Sequence, residues 1–149
     1  MTHGFATRAI HAGQEPDAAT GAVVPPIYQV STYKQDGVGG LRGGWEYSRP
    51  GNPTRAALEE ALAAVEGGAA GFAFASGLAA EDAVLRAALR PGDHMVLGND
   101  VYGGTYRLVA RVLGPWGVEH TPVDLTQADR LVDAIRPGQT KVVWVETPS

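Results

Sequence analysis

The chain has 149 residues, 44% of them hydrophobic and 19% charged, and a formal net charge of −4. This balance excludes the basic footprint of a nucleic-acid or anionic-membrane binder, and the lack of cysteine excludes disulfides and thiolate metal sites. The start, "MTHGFATRAIHAG", lacks the apolar core of a signal peptide, and no apolar run reaches the length of a membrane span, so a cytoplasmic protein is expected.

Residues 1 to about 46 show neither helical nor strand periodicity. They hold "AVVPPIYQVSTY" and the glycine-rich "DGVGGLRGG". Such composition suits a disordered tail, yet Ile27, Tyr28, Val30, Tyr33 and Trp45 are too apolar for one. The expectation is an ordered arm, residues 1–52, lying across another subunit or another part of a larger protein. Near its end comes "YSRPGNPT". Two prolines and a glycine forbid a regular element across its middle. Tyr47 and Arg49, an aromatic and a permanent cation, sit in it two residues apart, beside Glu46 and Ser48.

From residue 53 the pattern changes. "NPTRAALEEALAAVEGG" has Asn52 as N-cap, Pro53 at the first helical position, and Gly67-Gly68 as its stop. Leu58, Leu62 and Val65 form its apolar stripe. "GFAFA" is then read as a strand, "GLAAEDAVLRAAL" as a helix and "HMVLG" as a strand. The loop "NDVYGG" leads to the helix "TYRLVARVL". "VEHTPVD" is a strand, "TQADRLVDAIR" a helix and "KVVWVET" a strand. The alternation predicts parallel βαβ units, with a sheet covered on both faces.

Ligands of open parallel sheets bind beyond the carboxyl ends of the strands. Two stretches fall there. In "ASGLAAE", Ser76-Gly77 stands between a strand and a helix, whose first N–H groups and dipole favour a phosphate. An ordinary turn capped by Ser76 reads the same way. In "NDVYGGTYR", Tyr102 precedes two glycines and could stack over a planar ligand, with Arg107 one turn into the next helix. A packing tyrosine and a solvated arginine are the plainer readings. The dinucleotide and P-loop signatures are absent. His3, His11, His94 and His120 have no metal-pair spacing.

Five segments together resemble the pyridoxal-phosphate enzymes of cysteine and methionine metabolism. They are "IHAGQEPDAATGAVVPPIYQVSTY", "YSRPGNPTRAALEEALAAVEGG", "FASGLAAEDAVLRAALRPGDH", "NDVYGGTYR" and "VVWVETPS", in family order. The resemblance implies the type I pyridoxal-phosphate transferase fold, α/β with a mostly parallel sheet. Residues 53–149 would then be the first part of its large domain. It also implies pyridoxal 5'-phosphate as cofactor and a homotetramer made of two dimers that exchange their arms. By the same resemblance, Tyr47, Ser48 and Arg49 reach the cofactor phosphate of a neighbouring subunit. Ser76, Gly77 and Leu78 form the phosphate cup, and Tyr102 is the catalytic tyrosine that stacks on the cofactor ring. Glu46 and Arg107 lie on the substrate side. No metal site is implied.

The implied activity is γ-replacement or γ-elimination on cystathionine or an activated homoserine, as in cystathionine γ-synthase or γ-lyase. Cystathionine β-lyase and methionine γ-lyase are the alternatives, and the family's methionine γ-lyases usually carry a cysteine where Gly104 stands. Lys34 and Lys141, the two lysines of the chain, do not match the family's Schiff-base lysine. The chain is therefore expected to be one piece of a longer enzyme, inactive alone. A non-catalytic module binding a phosphorylated ligand or a partner subunit is the reading from another class.

Overall fold

The computed structural model describes residues 3–148. The chain divides into two compact units, one running to Ala73 and one beginning at Phe74.

The first unit is organised by helix α2, Pro53–Glu66. Its ends follow from local chemistry. The Asn52 side chain accepts from the N–H groups of Thr54 and Arg55, and Pro53 occupies the first turn, where no donor is needed. Gly67 ends it in the left-handed region at φ 68°. Arg55 and Glu59 form the i,i+4 pair on its surface at 3.4 Å.

The arm is ordered by backbone-directed bonds to this helix. Thr54 Oγ1 donates to the Pro26 carbonyl and accepts from the Tyr28 N–H, both at 2.9 Å. Asn52 Nδ2 donates to the Tyr28 carbonyl at 2.9 Å. A short helix, α1 at Phe5–His11, packs against α2, and Arg8 donates to the Ala64 carbonyl. Sequence periodicity did not predict α1: Gly4 at its N-cap offers no side-chain acceptor, so tertiary contact rather than propensity holds it.

The second unit holds a parallel three-stranded sheet in the order β2-β1-β3. The strands are β1 (His94–Gly98), β2 (Glu119–Val123) and β3 (Thr140–Trp144). All five residues of the central β1 are buried. Helix α3, Gly77–Ala88, helix α4, Gly103–Leu108, and the residues that follow each of them pack the core through Leu85, Leu89, Leu108, Val109 and Leu113. The α/β class with a parallel sheet matches the expectation.

The chain around residue 109 departs from the predicted continuous helix. A π-helical turn, Val109–Leu113, separates α4 from the short α5, Gly114–Trp116. Pro115 has no N–H for the preceding turn and its ring crowds that turn's carbonyl. Widening the helix by one residue relieves this, and the Gly114 N–H bonds Val109 O instead. Helix α6, Ala128–Ala134, is shorter than predicted. Thr126 and Gln127 are drawn into a turn by Asp124, which accepts from both side chains.

The segment "GFAFA" is not a strand. Phe72 and Phe74 are exposed, and the sheet of β2-β1-β3 includes no rung from it. Apolar character alone does not make a strand; a ladder partner is required, and the described residues supply none.

His94 stitches the sheet together. Fully buried in β1, it bonds Thr140 Oγ1 on β3 at 2.8 Å and Thr121 Oγ1 on β2 at 2.9 Å. Burial, then the charge of Arg136, holds its pKa below the ordinary histidine value and favours the neutral ring.

Candidate active site

The first candidate group lies in the first unit. Ser48 and Tyr33 join the arm to itself: the Ser48 N–H donates to Ser31 O at 2.8 Å and the Tyr33 N–H to Glu46 O at 3.0 Å. An antiparallel bridge pairs Thr32 with Tyr47. Arg55 holds the next turn, donating to the carbonyls of Arg49 at 3.1 Å and Pro50 at 2.8 Å. The backbone of the loop is thus fixed; the half-buried Ser48 hydroxyl accepts from Asn52 Nδ2 at 3.2 Å and lies 3.3 Å from the Tyr33 hydroxyl, while Tyr47 and Arg49 stay outside. The Arg49 guanidinium carbon lies 5.5 Å from the Tyr47 ring centroid, a cation–π pair. No carboxylate pairs with Arg49 among the described residues. Tyr47, Arg49 and Glu46 are exposed.

The second group lies in the second unit. Ser76 is the N-cap of α3, and its Oγ accepts from the Ala79 N–H at 3.2 Å. Accepting one bond leaves its hydroxyl proton to donate. Gly77 is the first residue of the helix, and a Cβ added there would meet nothing within 4 Å. The N–H groups of Gly77 and Leu78 belong to the first turn and have no intrahelical partner.

Tyr102 is the N-cap of α4, with no side-chain capping bond, and is 64% exposed. The two glycines that follow make room for different side chains. A Cβ at Gly104 would lie 2.3 Å from Tyr102 Cε1, so the ring occupies the space that glycine leaves open. A Cβ at Gly103 would lie 3.3 Å from a terminal guanidinium nitrogen of Arg107. The pair therefore gathers Tyr102 and Arg107 at the start of one helix, an arrangement that any larger residue at 104 would disrupt.

Connectivity puts the start of α3 and Tyr102 towards the carboxyl end of the sheet. Helix α3 leads back to the start of β1, and Tyr102 follows the end of β1. A cavity of about 190 Å³ opens there, lined by Asp100, Leu125, Thr126, Val145, Glu146 and Thr147, residues that follow the three strands.

Sequence reasoning missed Glu146. Its carboxylate accepts from the Tyr102 N–H at 2.7 Å, Thr105 Oγ1 at 2.8 Å and Trp144 Nε1 at 3.0 Å. The Tyr102 N–H, then the Trp144 indole, draws its pKa below the usual glutamate value. The available signal was an acid directly after the apolar strand "VVWV". Two of its three partners, Thr105 and Tyr102, lie 41 and 44 residues earlier, beyond the reach of any local pattern.

The family model described as "Cys/Met metabolism PLP-dependent enzyme" matches residues 6–149. The chain is 62% identical over 146 residues to a cystathionine gamma-synthase of Mycobacterium tuberculosis (strain ATCC 25618 / H37Rv), covering 98% of this chain and 37% of that protein. It is 53% identical over 143 residues to a cystathionine beta-lyase of Lactococcus lactis subsp. cremoris, covering 96% of this chain and 37% of that one. The solved structure of metB from Corynebacterium glutamicum superposes with a TM-score of 0.95 at 52% identity, over 99% of this chain and 38% of that one. The chain spans a little over a third of the length of these relatives. It belongs to the pyridoxal-phosphate-dependent enzymes of cysteine and methionine metabolism.

Proposed function

We propose that this chain supplies the arm and the first part of the cofactor domain of a transsulfuration enzyme. The enzyme acts by γ-replacement or γ-elimination on cystathionine or an activated homoserine, in the cytoplasm. The observation that carries this reading is the seating of Tyr102 and Arg107 by Gly103 and Gly104, beyond the carboxyl end of β1, with α3 offering its free first turn.

The residues present fit pyridoxal phosphate. Its phosphate is a compact dianion, and the donors on offer suit it: the Ser76 hydroxyl, the N–H groups of Gly77 and Leu78, and Arg49, with no competing carboxylate among the described residues. Tyr47 and Ser48 add hydroxyls on the same loop as Arg49. Bound there, the cofactor supplies the electron sink that makes the substrate Cα–H acidic. The Tyr102 ring, exposed and backed by Gly104, offers a flat face for stacking and shields one side of the reacting centre from water. Arg107 pairs with a substrate carboxylate, and Glu46, exposed on the arm, faces the substrate amine.

The arm, residues 1–52, contacts a neighbouring subunit and brings Tyr47 and Arg49 to that subunit's site, while residues 53–149 begin the cofactor domain. Supporting this, no described residue up to Ala73 is buried within the chain, and Ile27 and Val38 stand fully or nearly fully exposed. Apolar residues left in this state favour a partner surface. A homotetramer of two arm-exchanging dimers provides it.

The test is substrate turnover by the complete enzyme. Cysteine with an activated homoserine should yield cystathionine, or cystathionine should be cleaved on the γ side to cysteine and a four-carbon keto acid. Arg107→Ala should raise KM for that substrate about 10- to 100-fold, the scale of one charge-assisted pair. Cofactor-loaded enzyme that turns over none of these would refute the proposal. Cleavage on the β side instead, to pyruvate and homocysteine, would favour the β-lyase reading that the Lactococcus relative supports.

A further inference from the structure

We propose that Glu146 is a positioning residue that sets the Tyr102 ring against the cofactor; this rests on Tyr102 being the stacking residue of the proposed site. The inference comes from how α4 begins. Its N-cap, Tyr102, brings no capping side chain. In an ordinary capping box, a glutamate or glutamine three residues into the helix reaches back to the N–H of the cap. Here that position holds Thr105, which is too short for the task. Thr105 is fully buried, and its hydroxyl passes to Glu146 Oε1 at 2.8 Å. Glu146 Oε2 then takes the Tyr102 N–H at 2.7 Å. The capping acid is thus supplied from beyond β3, 44 residues away in sequence, and not from the helix itself.

Two devices therefore fix the ring. Gly104 leaves the space in which it lies, and Glu146 fixes the backbone from which it projects. The indole of Trp144, at the end of β3, in turn orients the carboxylate at 3.0 Å. Three donors converge on the group, so it must be an acceptor at both oxygens. An ionised carboxylate meets that requirement, and its lowered pKa agrees. Glutamine does not. Its single carbonyl would best serve the two donors at the Oε1 position, which turns the amide N–H₂ towards the Tyr102 N–H. Glu146→Gln is therefore a nearly isosteric change that breaks the Tyr102 contact specifically.

The experiment is a double-mutant cycle in the complete enzyme, stripped of cofactor and titrated with pyridoxal phosphate. The readouts are the half-saturating concentration and the visible circular dichroism of the bound cofactor. Thermal melting of the cofactor-free proteins controls for loss of fold. Glu146→Gln should raise the half-saturating concentration about tenfold, the scale of one charge-assisted hydrogen bond, and should change the dichroic band. In the Tyr102→Ala background the same change should cost less than about twofold, because the ring it positions is gone. Equal costs in both backgrounds would overturn the inference and leave Tyr102 in its role. No effect of Tyr102→Ala itself would overturn both. Should Glu146→Gln fail to fold, Thr105→Val removes one donor while keeping the charge. It should show the same dependence on Tyr102 at smaller size, and an equal cost in both backgrounds would again overturn the inference.

Discussion

Subunits carrying Arg49→Ala, mixed with subunits carrying Tyr102→Ala, should recover cofactor binding that neither variant shows alone. Each substitution removes one group from the proposed site. Loss of the arginine, whose planar fork suits phosphate oxygens, should weaken pyridoxal phosphate about 10- to 100-fold. In a mixed dimer the Arg49→Ala subunit keeps its own Tyr102 and receives an intact Arg49 from its partner. The other site in that dimer lacks both. With random pairing about a quarter of all sites become whole, since half the dimers are mixed and each has one good site. The visible absorbance of the co-expressed mixture reads this, and purification through two different tags, which selects mixed dimers, should raise the whole share to about half. Verified mixed dimers with no recovery would mean that Arg49 serves its own subunit. The motive lies in the loop: its carbonyls are held by Arg55, its backbone is bridged to the arm, and Arg49 is left exposed with no carboxylate partner among the described residues.

The second large effect is on folding. Gly13, in "IHAGQ", has φ 69°, and a Cβ there would lie 2.2 Å from the Ala57 carbonyl oxygen in α2. Two penalties combine in Gly13→Ala. A left-handed conformation costs a non-glycine residue about 1–2 kcal/mol, and forcing an atom into occupied backbone space adds about 1–3 kcal/mol. A loss of roughly 2–5 kcal/mol is expected, a large share of the stability of an ordinary domain. Gly67→Ala is the control. It has nearly the same φ, 68°, but nothing within 4 Å of the added Cβ, so it should lose only the conformational share, about 1–2 kcal/mol. Urea unfolding at fixed protein concentration separates the two. Equal losses would show that conformation alone, and not the approach of the arm to α2, makes Gly13 necessary.

Features of this fold that depend on local chemistry were legible in the sequence. Asn52, Pro53 and Gly67 mark both ends of α2 because capping is settled by neighbours within four residues. The three strands were legible as apolar runs between turn residues. The segment around Phe72 and Phe74 was misread because its apolar pattern promises burial but cannot name a partner. The π turn at Val109–Leu113 was missed because its cause, Pro115, lies beyond the segment it distorts. The candidate site shows the same division. Tyr102 and Arg107 were visible as residue types after a strand, and Ser76-Gly77 as the start of a helix. The function of the paired glycines was not, since it depends on where two side chains fold back. Glu146 was invisible for a different reason: nothing in "WVETPS" records a tyrosine N–H 44 residues away.

The central claim is that the start of α3 holds the cofactor phosphate beneath Tyr102. A crystal structure of the complete enzyme with pyridoxal phosphate tests it most directly. The account predicts phosphate oxygens about 2.7–3.1 Å from Ser76 Oγ and from the N–H groups of Gly77 and Leu78, with the Tyr102 ring stacked on the pyridine ring. A cofactor whose phosphate binds elsewhere, with the Ser76 hydroxyl serving only its bond from Ala79 and the Tyr102 ring turned away, would contradict it.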